Sequence, residues 1–129
     1  MPKRTNLYLT DEAQGALSRL AEGSRSKFAS SAIVRSFRQL AEARALVAAT
    51  LTRDEVLAVL DATNGLFIIE GMAYADQVAG DVEDSETNHV TPEARKELAK
   101  RLYGDEGTSR ALIVLRDAFF DGVDDLAWL

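Results

Sequence analysis

Arg4, Asn6 and Tyr8 stand at alternate positions in residues 3–10, which read K-R-T-N-L-Y-L-T. Arginine makes a bidentate contact with guanine and asparagine with adenine, so two of these three are residue types that read base edges. Ser24 precedes an apolar helical pattern, with Arg25 and Lys27 just behind it. The free amides of a helix N-terminus seat a phosphate, and the two cations add charge there. A second cluster, Asp81, Glu83, Asp84, Glu86 and His89, has ligand types for a cation. It lacks the D-x-[DN]-x-[DN]-G spacing of a calcium loop, so 80–88 is expected to be a solvated acidic loop with no metal. Catalysis has little to use: there is no cysteine, one histidine and no glycine-rich phosphate loop. Asp117 and Asp121 form a carboxylate pair of the kind helices expose routinely. No catalytic residue, no cofactor and no enzyme activity is expected.

The elements that must position these residues come next. Leu7 and Leu9 point opposite to Arg4, Asn6 and Tyr8, the two-residue period of a half-buried strand. No other segment reads confidently as a strand, and buried backbone groups without partners are costly. A second copy of the chain supplies the partner, as a two-stranded antiparallel ribbon about a twofold axis. A homodimer is therefore expected. Thr10 is a good helix cap, followed by Asp11 and Glu12 where the helix dipole favours acid. Ala13, Ala16, Leu17, Leu20 and Ala21 share one face of that helix, and Gly23 closes it. Ser24 then caps a second helix with the apolar face Phe28, Ala29, Ala32, Ile33, Phe37, Leu40 and Ala41. Arg35, Arg38 and Arg44 lie mostly off that face.

In this order, R-T-N-L-Y-L-T, then A-x-x-x-L-x-x-L-A, then G-S-R-S-K-F-A-S-S-A-I, residues 1–45 resemble a ribbon-helix-helix DNA-binding domain of the Arc/MetJ/CopG type. The turn E-G-S is shorter than that family's. The resemblance covers about a third of the chain and implies a β-ribbon entering the major groove. It assigns Arg4, Asn6 and Tyr8 to the bases, and Lys3, Ser24, Arg25 and Lys27 to phosphates. Leu7, Leu9, Leu17, Leu20, Phe28, Ile33 and Phe37 would form the dimer core.

Charge divides the chain in the same place. Residues 1–45 carry eight basic and four acidic side chains, a net +4, whereas 46–129 carry seven basic and seventeen acidic, a net −10. Halves of opposite sign suggest a polyanion for the first and a different partner for the second. The second helix is expected to run past Leu46. Thr52 and Glu55 form a capping box opening a helix with Val56, Leu57 and Leu60. Asn64-Gly65 would signal a hairpin between strands, and 66–69 has strand-like composition. After a helix it equally marks a cap, and helix is favoured from 66 to 78. Thr91-Pro92-Glu93 starts another helix, ending at Gly104, whose basic residues read as a solvated face. Thr108 or Ser109 is expected to cap a last helix reaching Leu129. Its stripe of Leu112, Leu115, Phe119, Val123 and Leu126, joined by Ile113, Phe120, Trp128 and Leu129, would be the centre of a second domain or, less commonly, its docking surface.

The sequence thus predicts a mainly α protein. An N-terminal ribbon-helix-helix over 1–45 (one strand, two helices, an intertwined dimer) would precede an all-α acidic domain over 46–129. The expected function is a sequence-specific DNA-binding repressor of its own operon, with double-stranded DNA and a second copy as partners. Higher oligomers on DNA and a protein partner for 46–129 belong to the same expectation. The alternatives are an antitoxin whose C-terminal half binds a toxin, and a plasmid partition or conjugation accessory protein. No apolar run is long enough to span a membrane and no signal-peptide core opens the chain, so a cytoplasmic location is expected.

Overall fold

The computed structural model describes residues 10–12, 15 and 25–129. Among them are five α-helices: α1 (Arg25–Thr50), α2 (Arg53–Ala62), α3 (Tyr74–Asp84), α4 (Pro92–Leu102) and α5 (Glu106–Phe120). Asp11, Glu12 and Gly15 are also helical. The expected ribbon-helix-helix fold is overturned here, because the described residues contain no strand and no sheet. The described elements are helices, whose backbone groups bond mainly along their own turn and leave no row of donors and acceptors for a ladder. The strand expected over 3–10 lies, apart from Thr10, outside the described residues. The mainly α class stands.

The chain divides into two compact units, 1–37 and 38–129, at a point inside α1. The expected boundary at 45/46 falls within the same helix. In the second unit α3 touches α2, α4 and α5, and α5 also touches α2 and α4. Their shared core takes Leu40, Ala43 and Val47 from α1, Val56 and Val59 from α2, and Val78 and Val82 from α3. Leu98 and Leu102 of α4, Leu112 and Leu115 of α5, and Leu126 complete it. The expected stripe of the last helix is therefore central in Leu112, Ile113, Leu115 and Leu126, while Phe120 and Val123 are exposed.

Local signals set several helix ends. Thr52 and Glu55 form the capping box, and Thr91 accepts from the Ala94 amide ahead of Pro92. Four other expectations are corrected. Residues 66–73 are not helical, since Gly65 and Gly71 both adopt φ +82° and α3 begins only at Tyr74. The acidic loop expected over 80–88 is half helix: α3 runs through Gly80 to Asp84. Glycine inside a helix costs about 1 kcal/mol, whereas burying Val82 in the core contributes about 1.5–3 kcal/mol. The last helix is capped by Asp105, whose carboxylate accepts from the Thr108 amide; Thr108 and Ser109 lie inside it, buried. That helix stops at Phe120, because Gly122 takes φ +74° and the amides of Val123 and Asp124 both turn back to the Ala118 carbonyl.

Two side chains tie the unit together from a distance. The α3 cap, Ala73, offers no side-chain acceptor, and Glu106 of α5 takes over that role. Its two oxygens accept from the Tyr74 and Ala75 amides at 3.1 and 2.9 Å. The Ala75 amide bond outweighs the upward push of desolvation, and with Arg110 it holds the Glu106 carboxyl below its ordinary pKa. Asp124 anchors the C-terminal turn, accepting from Arg44 Nε at 3.0 Å, the Leu126 amide at 2.9 Å and the Trp128 indole at 3.0 Å. Burial alone would raise its carboxyl; the Leu126 amide, Arg44 and Trp128 outweigh burial, and the net shift is downward. Leu126 is held in the left-handed region at φ 61° by this turn and by complete burial of its side chain. Among the described residues no helix is long and apolar enough to cross a membrane.

Candidate nucleic-acid interface

The N-terminal half of α1 concentrates positive charge. Helix α1 has 26 residues without Gly or Pro and is rich in alanine, so it forms readily. Its first turn breaks a local rule: it holds no acidic residue to offset the helix dipole. Arg25 and Lys27 stand there instead, and from 23 to 41 the chain has four cations and no acid. Stability alone would select Asp or Glu in that turn. Local departures of this kind are expected at functional or strained sites.

Helical spacing sorts these residues into stripes. Lys27, Ser31, Arg35 and Arg38, at intervals of four, four and three, fall on one side of the helix, all exposed. At 1.5 Å per residue the stripe is about 16 Å long. Glu42 ends it. Another face carries Ala29, Ala32, Ile33 and Phe37, and it leads on to Leu40, Ala43 and Val47, which are buried. Before Leu40 that face is uncovered: Ile33 is 40% exposed and Phe37 63%, and neighbouring Phe28 is 52% exposed.

Of the residues expected to touch DNA, Lys27 is exposed on this stripe, and Arg25 opens α1 with its side chain outside the described set. Lys3, Arg4, Asn6, Tyr8 and Ser24 lie outside the described residues, as do Leu7, Leu9, Leu17 and Leu20 of the expected dimer core. The other three of that core, Phe28, Ile33 and Phe37, are solvent-facing in the single chain. Sequence reasoning placed Arg35 and Arg38 mostly off the apolar face and gave them no role at DNA. The 4-4-3 spacing from Lys27 was the signal that joins them to it. Arg44 belongs elsewhere, since it pairs with Asp124 and lies 5.9 Å from the Trp128 ring centre.

The acidic residues with ligand types for a cation do not converge. Asp81, Glu83 and Asp84 lie on α3, and Glu86 and His89 lie beyond it. Glu83 accepts from the Tyr103 hydroxyl at 3.1 Å, which raises the phenol's pKa. Among the described residues no three His, Cys, Asp or Glu side chains are placed to hold a metal. Comparison with models of known protein families, with curated proteins and with solved structures finds no match.

Proposed function

We propose that this chain is a DNA-binding transcriptional repressor that acts as a homodimer on its own promoter. The observation that carries the reading is the exposed, acid-free stripe Lys27–Ser31–Arg35–Arg38. Cations and a hydroxyl at that spacing suit successive phosphate oxygens, and such contacts position a protein on the duplex without reading sequence. The uncovered Phe28, Ile33 and Phe37 support a dimer, because a second copy would take them out of water. Base discrimination falls to Arg4 and Asn6 on the chemistry of their side chains alone. The acidic remainder of the chain lowers affinity for random DNA more than for the operator, since random binding is almost wholly electrostatic.

Fluorescence anisotropy with duplex DNA from upstream of the chain's own coding region, and with random duplex, tests this. Binding should weaken steeply with salt, with a log–log slope of about −0.9 per phosphate neutralised. Replacing Lys27, Arg35 or Arg38 with Ala should reduce that slope by about 1 each for both duplexes. Asn6→Ala should cost about 1–3 kcal/mol on the promoter duplex only. Absence of salt-dependent binding at low ionic strength, or an unchanged slope in the triple Ala variant, overturns the proposal.

A further inference from the structure

Residues 66–73, reading L-F-I-I-E-G-M-A, connect α2 to α3 and turn their large apolar side chains outward. Phe67 is 86% exposed, Ile69 60%, Met72 44% and Ile68 43%. Only Leu66 packs against the core. The loop is nevertheless held from beneath. The Gln77 side chain, itself buried, accepts from the Ile69 amide at 3.3 Å and donates to the Ile69 carbonyl at 3.2 Å. Arg116 of α5 donates to the Thr63 and Leu66 carbonyls at 3.4 and 3.1 Å. The Met72 amide closes a turn onto Ile69, and Gly71 at φ +82° returns the chain to α3. Ordered display of apolar side chains reduces the entropy a partner must overcome on binding.

Charge identifies the partner. From 54 to 94 the chain has ten acidic residues and no Lys or Arg. Glu70 lies within the loop and Asp61 and Asp76 flank it in sequence, all three exposed. The nearby cations are engaged: Arg116 pairs with Asp117, and Arg110 with Glu106. An apolar centre with an acidic rim is repelled by nucleic acid, by anionic lipid and by a second copy of itself, because like charges brought together cost several kcal/mol. We propose that loop 66–73 docks a protein segment whose aliphatic or aromatic side chains are flanked by Lys or Arg. Phe67 and Ile69 are the anchors, and Glu70, Asp76 and Asp61 pair with the cations at the rim. This is independent of DNA binding by α1.

Panning a random peptide library on the full-length chain, with counter-selection on Phe67→Ser/Ile69→Ser, tests it. Those two side chains are largely solvated, so the variant should keep its circular dichroism and melting curve. Recovered peptides should be enriched in Lys and Arg beside Leu, Ile or Phe. A synthetic copy of one should bind the Ser variant at least about tenfold more weakly. Glu70→Lys/Asp76→Lys should also weaken it, and its affinity should fall with salt. Failure to recover peptides, recovery without basic enrichment, or equal binding to the Ser variant overturns the proposal. So does a Phe67-dependent self-association, or Phe67-dependent binding to phosphatidylcholine–phosphatidylglycerol vesicles.

Discussion

Between 25 and 41 the chain carries four cations and no acid; between 54 and 94 it carries ten acids and no Lys or Arg. Both stretches leave large apolar side chains in water, but what lies beneath them differs. The acidic stretch also delivers Val56, Val59, Val78 and Val82 to a closed core. The basic stretch has no buried residue from 27 to 39. In the acidic stretch, exposed apolar atoms are therefore additional to those that fold the unit. Between 27 and 39 every large apolar side chain, Phe28, Ile33, Val34 and Phe37, is exposed. The first arrangement is self-sufficient, whereas the second is the one that the proposed homodimer would complete.

If 38–129 supports itself, changes in its interior should have the largest effects. Leu112→Ala, at a fully buried site, should destabilise by about 3–4 kcal/mol in urea unfolding with an unchanged m-value. Arg44→Met strands the buried Asp124 carboxylate and should cost about 2–3 kcal/mol, below the usual range for a buried pair because Arg44 is partly solvated. Acid should act next. Glu106 and Asp124 both have lowered pKa values. Their contribution is thus complete above the ordinary carboxylate range and is lost as pH falls through their folded values. Melting temperature should be flat near neutrality and drop below about pH 4. Glu106→Gln should lower it at neutral pH and shrink the acid-dependent drop.

Two smaller effects sharpen the contrast. A Cβ at Gly80 would meet only the Tyr103 hydroxyl, at 3.9 Å. Gly80→Ala should therefore stabilise by about 0.5–1 kcal/mol, read as a raised denaturant midpoint. Phe37→Ser, in the basic stretch, should change the stability of dilute protein by less than about 0.5 kcal/mol. It should nevertheless remove the concentration dependence of the melting temperature that a dimer produces. A large loss in dilute protein would mean that Phe37 is covered within one chain, and the comparison would fail.

What the sequence disclosed follows from how far each signal reaches. Thr52 with Glu55, and Thr91 with Pro92, act within four residues, and both caps form as read. The passage of α1 beyond Leu46 was equally visible, because nothing in 24–50 interrupts a helix. Glycine was ambiguous: Gly122 ends a helix at positive φ, while Gly80 sits inside one because Val78, Ala79 and Val82 must face the core. That distinction is made by residues distant in sequence. The remote cap by Glu106, 32 residues from Tyr74, left no local trace. The ribbon was inferred from alternation over a few residues, and the described fold is built from helices alone. At the candidate interface, Lys27 was legible from its position after Ser24. Arg35 and Arg38 required the helix to be counted from its cationic side.

The turn that Asp124 organises also gives the molecule a private optical signal. Trp128 is the chain's only tryptophan, and its indole N–H is bonded to both carboxylate oxygens of Asp124. Its emission therefore reports the attachment of the last nine residues to α1, whereas far-ultraviolet ellipticity reports the helices. The separation between the two melting curves measures how cooperatively the C-terminal turn is joined to the bundle, and coincident curves would mean that both leave in a single step.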